Sequence, residues 1–249
     1  TGVNNTIIGA LAGDALTSGS YNVAIGRNAL SAEDANGTNV AVGYDTLALQ
    51  NAGADAYNTA VGYAAGVNVS TGVQNTIVGG NAGKAFTTGQ RNVAVGYGAL
   101  ETEDAHGLNT AIGWAALNAL NAGADAYNVA VGYSAGIAMT TGVRNTLVGG
   151  EAGDGLTEGD FNVAVGYAAL SAPRAGNRST ALGYAALNVQ AHGSSAGADF
   201  NNTAIGFLAG AAVSTGTGNT FVGSTAGDAL TTGVSNTAVG MNALGSAII

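Results

Sequence analysis

The sequence has no cysteine, one proline and only 8% charged residues over 249 positions. The missing cysteines exclude disulfides and thiolate metal sites. The basic residues number six, Arg27, Lys84, Arg91, Arg144, Arg174 and Arg178, scattered along a chain of net charge −9. Phosphate recognition needs Lys and Arg in clusters, so nucleic acid is not an expected partner. No run of 18 apolar residues occurs, so neither a membrane-spanning helix nor membrane insertion is expected. No secretory leader is visible. The chain opens inside a repeat and stops part-way through another, which predicts a fragment of a longer polypeptide.

What the chain does have is 42 Gly and a hydrophobic fraction of 47%, much of it Ala. Low charge with abundant Val and Ile argues against disorder, and glycine without a three-residue period excludes collagen. Small residues cannot fill a deep globular core. They can fill a thin one, such as the gap between two closely spaced sheets.

Internal periodicity supplies the architecture. An anchor residue recurs at Asn5, Asn22, Asn39, Asn58, Asn75, Asn92, Asn109, Asn128, Asn145, Asn162, Ser179, Asn202, Asn219 and Asn236, most often 17 residues apart. Four such units make a super-repeat, since Asn5 to Asn75 and Asn75 to Asn145 each span 70 residues. The longer unit carries a loop, Asn51 to Tyr57, that returns at Asn121 to Tyr127 and again, after an insertion, at Ala196 to Phe200. Insertions confined to one point of a repeat map to one edge of a solenoid.

After the anchor comes Thr or Val, then usually Ala, then Val, Ile or Leu, then Gly in all 14 copies. Alternation places the second and fourth positions on one face and the third on the other. We expect the second and fourth to fill the thin core, and the small third position to let a neighbouring chain approach closely. The Gly marks a bend. An Ala-Leu or Ala-Gly pair and a polar turn such as Thr87-Thr88-Gly89 close the coil. Seventeen residues rich in glycine cannot form a helix pair. The expected fold is therefore all-β: a parallel β-solenoid (β-roll or β-helix) of 14 coils, mostly of 17 residues, in four-coil super-repeats, forming one domain over 1–249. At about 4.8 Å per coil, 14 coils would extend on the order of 65 Å.

The third position is large only at Ile7, Ile77, Leu147 and Phe221, and in those coils the residue after Gly is small (Ala10, Gly80, Gly150, Ser224). Such a trade of bulk predicts that both sites line one shared surface.

The Asn column reads either as a ladder of mutually satisfied amides or as a row that binds ligand. An aromatic column follows the Gly: Tyr44, Tyr63, Tyr97, Trp114, Tyr133, Tyr167, Tyr184 and Phe207, with Arg27 and Met241 in the same register. It reads as internal or subunit packing, or as an exposed platform for glycan rings. Glu33, Asp34, Glu101, Glu103, Asp104, Asp55, Asp125 and Asp199 read as solvated loop charges. Loop calcium is the alternative, although no loop has the dense Asp/Asn alternation of calcium repeats. His106 and His192 sit in loops without a partner at ligand spacing and offer no catalytic triad. No cofactor and no enzymatic activity are expected.

The motif Asn-Val-Ala-Val-Gly, at Asn92 to Gly96, Asn128 to Gly132 and Asn162 to Gly166, resembles the strand motif of trimeric autotransporter adhesin heads, which are left-handed β-rolls. The fuller pattern at Asn58 to Tyr63, Asn109 to Leu117 and Thr180 to Leu187 resembles repeats of phage tail-fibre-like and secreted adhesin-like proteins. This resemblance covers essentially the whole chain. It implies an extracellular, cell-surface or virion location, homotrimeric assembly and attachment to cell surfaces, with surface glycans as partners. The 17-residue coil is longer than that of the adhesin heads, and no coiled-coil stalk, membrane anchor or C-terminal chaperone domain is visible. Three functions compete: an adhesin or tail-fibre shaft built as a homo-oligomeric rod, a subunit of an extracellular filament, and an ice-binding solenoid. The last is weakened by Val at the second position in five coils.

Overall fold

The computed structural model describes residues 2–172, 176–191 and 198–245. It is all-β, with 14 parallel strands of three residues each and no helix among the described residues. The coils fall into two compact units, Thr1–Ala126 and Tyr127–Ile249. The first holds β1 (Thr6–Ile8) through β7 (Thr110–Ile112), the second β8 (Val129–Val131) through β14 (Thr237–Val239). Each unit is a parallel β-solenoid in which consecutive strands pair position over position, as Val23 over Val40 or Thr203 over Thr220.

The strands are short because both ends are forced to turn. The residue before the anchor takes a left-handed conformation (Tyr21 φ 62°, Arg91 φ 56°), and the Gly after the strand lies at φ 121–143°. At Gly96 a Cβ would come within 2.2 Å of the Gly113 carbonyl in the next coil, so the position admits no side chain. Beyond the Gly, each coil is a tight run of turns rather than a second strand. Two positions there are left-handed even when they are not Gly, as at Asn28 (φ 56°) and Leu30 (φ 54°). Such a conformation costs roughly 1–2 kcal/mol per residue. Inter-coil bonds offset it: Asn28 N–H donates to the previous coil at Ala10 (3.0 Å), and Leu30 N–H to the next at Thr46 (3.0 Å). The interior lies between one sheet and a wall of turns, not between two sheets.

Two expectations are corrected by this packing. The third strand position points inward and the second and fourth point outward: Ala24, Ala41, Ala94 and Ala164 are buried, while Val23, Ile25, Val61 and Ile112 are half-buried or exposed. Ala fits inside because the turn wall contributes Leu to the same space, at Leu30, Leu47, Leu100 and Leu170. The third position and the residue after Gly therefore lie on opposite sides of the sheet and share no surface. Bulk is traded inside instead. Ile77, Leu147 and Phe221 are buried opposite glycines of the turn wall: a Cβ on Gly66 would lie 2.8 Å from Ile77 Cδ1, and one on Gly227 2.4 Å from the Phe221 ring. Large-with-Gly and Ala-with-Leu are two ways to fill the same volume.

Candidate functional site

Inside each unit the Asn column is a hydrogen-bonded ladder. It is buried except at Asn5 and Asn236, which are half-buried. Within a unit, the Oδ1 of every Asn but the last accepts from the main-chain N–H of the anchor one coil on, as Asn22 on Asn5 (2.9 Å), Asn75 on Asn58 (2.8 Å) and Asn145 on Asn128 (2.9 Å). Most Nδ2 groups donate to the turn that closes their own coil, as Asn75 to Gly89 (2.9 Å) and Asn162 to Gly176 (3.0 Å). Amides so enclosed are not open to a ligand.

A second interior column, twelfth in the coil, is not evident from the strand motif. It carries Leu16, Val69, Phe86 and Met139 in some coils but Glu33, Gln50, Glu103 and Gln190 in others, all four of these polar side chains buried. Glu33, Gln50 and Gln190 serve the ladder, Glu33 Oε2 accepting from Asn39 Nδ2 (3.4 Å). Gln50 Oε1 accepts from Asn58 (2.9 Å), and Gln190 bridges Ser179 (2.8 Å) and Asn202 (2.8 Å) where the anchor is not Asn. Glu33 and Glu103 are thus interior groups, not solvated loop charges. Burial raises the pKa of each above the usual carboxylate range, against hydrogen bonds from nearby backbone N–H groups. The loop aspartates Asp34, Asp55, Asp125 and Asp199 are exposed and Asp104 is half-buried, yet Asp55 and Asp125 each accept a bond from the preceding coil, at Gly37 N (3.2 Å) and Gly107 N (3.0 Å). They pin the longer loops.

His106 does have a carboxylate neighbour, contrary to expectation. Its Nδ1 lies 3.7 Å from Glu103 Oε1, and with Asp104 the three offer ligand atoms within 4.8 Å of one another. Glu103 already accepts from the backbone of His106 (3.3 Å) and Ala122 (3.4 Å). Calcium needs six to eight oxygens, which this trio does not supply. His192 and Arg174 lie outside the described residues.

The outer strand face is the other chemically distinct region. Four columns of side chains run along it: the residue before the anchor, the second and fourth strand positions, and the residue after the Gly. Of the 27 large apolar side chains exposed on the described residues, 20 belong to these columns. The aromatic column lies wholly outside the core. Tyr44, Tyr63, Tyr97, Trp114, Tyr133, Tyr167, Tyr184 and Phe207 are all exposed, which excludes internal packing. The rings form short stacks: Tyr44 on Tyr63 (5.4 Å between centroids, 9° between planes), Tyr167 on Tyr184 (5.6 Å, 19°) and Tyr184 on Phe207 (5.3 Å, 16°). Facing rings cover one another and leave mainly edges and hydroxyls outward.

The column before the anchor is a second, previously unrecognised row of large side chains: Tyr21, Tyr57, Tyr127 and Phe161, with Arg91, Arg144 and Arg178. Here the Arg144 guanidinium sits 5.3 Å from the centre of the Phe161 ring. Reading the sequence in the 17-residue register rather than by motif would have found it. No family model, curated protein or solved structure matches the chain.

Proposed function

We propose that this chain is a non-enzymatic structural rod that associates with copies of itself through the exposed strand face. Its expected setting is an extracellular or virion adhesin or tail-fibre shaft. The observation that carries this reading is the concentration of exposed apolar side chains in four adjacent columns. Soluble monomers rarely expose contiguous apolar patches of more than a few hundred Å². Seven coils at about 4.8 Å by six residues at about 3.3 Å give each unit a face of roughly 670 Å². A standard stable interface buries about 800 Å² on each partner, so the face of a single unit is close to that size. Ring faces closed off by neighbouring rings favour packing over glycan stacking on this column. Attachment to cell-surface glycans is assigned to the loops, where insertions accumulate.

Light scattering and electron microscopy of the purified chain test this reading. A discrete oligomer of elongated particles is expected. Open-ended polymers would favour the filament alternative, and a monodisperse monomer would overturn self-association. The outward Thr column, at Thr59, Thr76 and Thr110 among others, keeps one further reading in play, ice binding. Thermal hysteresis would establish that reading, and its absence would remove it.

A further inference from the structure

We propose that the turn carrying Glu103, Asp104 and His106 binds a divalent transition cation of the zinc type. The site lies within the first unit, and it stands whether or not copies of the chain associate.

Geometry is the first argument. The three side chains offer ligand atoms that all lie within 4.8 Å of one another. His106 Nδ1 is 3.7 Å from Glu103 Oε1, too far for a hydrogen bond. Zinc holds nitrogen and oxygen ligands at about 2.0–2.2 Å, so two of them at a tetrahedral angle stand roughly 3.4 Å apart. The observed gap therefore suits a bridging ion better than a direct bond. A movement of roughly 1 Å by the half-buried Asp104 carboxylate brings the third ligand to a comparable spacing. Three protein ligands leave the fourth position to water. An imidazole beside only two carboxylates selects a zinc-type ion over calcium or magnesium, which require more oxygens.

Unmet bonding is the second argument. His106 Nδ1 is buried and has no hydrogen-bond partner. Glu103 is wholly buried. Among the described residues no Lys or Arg pairs with Glu103 or Asp104; Lys84 is taken by Glu101 and Arg178 by Asp199. Buried charges are ordinarily paired or bound to metal. A divalent cation would satisfy the imidazole and both carboxylates together.

The protein also contains its own control. Glu33-Asp34-Ala35-Asn36-Gly37 stands one super-repeat before Glu103-Asp104-Ala105-His106-Gly107. Both turns hang on the same frame. Thr17 N–H donates to Asp34 O (2.7 Å) as Thr87 N–H does to Asp104 O (2.6 Å). Asn22 Nδ2 donates to Asn36 O (3.2 Å) as Asn92 Nδ2 does to His106 O (3.1 Å). In the earlier turn the Asn36 side chain hydrogen-bonds Glu33, so the turn closes on itself. His106 replaces that amide and leaves Nδ1 bare. The frame is shared and only the ligand differs.

Calorimetric titration of the full chain with Zn²⁺ tests the site. Saturable binding of one ion per chain is expected, with no response to Ca²⁺ at the same concentrations. His106→Asn copies the earlier turn, so it should fold with unchanged circular dichroism. Its affinity for Zn²⁺ should fall at least about tenfold, the least that loss of a group supporting a metal site costs. Asn36→His should install a second site and raise the stoichiometry to two, and His192→Asn should change nothing. Absence of saturable Zn²⁺ binding, or an equal response to Ca²⁺, overturns the proposal. So does binding that survives in folded His106→Asn, that is lost in His192→Asn, or that stays at one ion in Asn36→His.

Discussion

Replacing Asn75 by Ala measures what one rung of the ladder is worth. Asn75 is buried; its Oδ1 accepts from Asn92 N–H (2.9 Å), and its Nδ2 donates to Gly89 O (2.9 Å) and Asn58 Oδ1 (3.2 Å). Asn58 Oδ1 keeps the Asn75 main-chain donor at 2.8 Å. The substitution therefore strands one buried N–H and one buried carbonyl, each costing about 1–3 kcal/mol. The expected loss is about 4 kcal/mol. In a solenoid each coil contacts only its neighbours, so the damage should be local. Hydrogen exchange reads it directly: the Asn92 amide should exchange about a thousandfold faster, at 1.4 kcal/mol per factor of ten. Amides of β2 (Val23–Ile25), three coils away, should change by less than about tenfold by the same relation. A loss below about 1 kcal/mol, the worth of an ordinary exposed bond, or uniform acceleration throughout the first unit, would refute this account of the ladder.

Other consequences concern the core and its acids. Ile77→Ala should cost about 2–5 kcal/mol, since it opens a void against Gly66, and urea denaturation will show it. Gly96→Ala should prevent the coil from closing and yield insoluble protein, whereas Gly53→Ala, left-handed but with open space around it, should cost roughly 1 kcal/mol. Glu33 and Glu103 have folded pKa values raised by burial, so the fold holds their protons more tightly than the unfolded chain does. Their contribution is fully favourable below the unfolded carboxylate pKa and is lost as pH rises through the folded value. Glu103→Gln, a residue type that the same column already accepts at Gln50 and Gln190, removes the titration but sets an amide Nε2 against one of the two backbone N–H donors, so its effect on stability should be more favourable at neutral pH than near pH 4. Equal effects at both pH values would contradict the buried-acid assignment.

The 17-residue spacing and the Gly after each strand made the solenoid legible, because both act through the backbone. Which strand face is interior was not legible. Ala24 and Val23 alternate equally well either way, and the choice turns on Leu30 and Gly66 in the turn wall, whose inward direction comes from left-handed residues no strand pattern announces. Glu33 and Glu103 were misread for a related reason: their neighbours look like loop, and only the column they share with Leu16 and Phe86 places them inside. The Asn ladder had two readings in sequence, and burial separates them. The outer aromatic row was visible, but its companion at Tyr21, Tyr57 and Phe161 lies before the anchor and outside the motif.

The central claim is that the strand face is the surface through which copies associate. Sedimentation velocity on the wild type and on Val93→Glu/Val95→Glu, two outward positions on β6 (Val93–Val95), tests it most directly. The account predicts a stable wild-type oligomer and a folded monomer for the variant. An oligomer that survives the two carboxylates, or a wild type that sediments as a monomer, would contradict it.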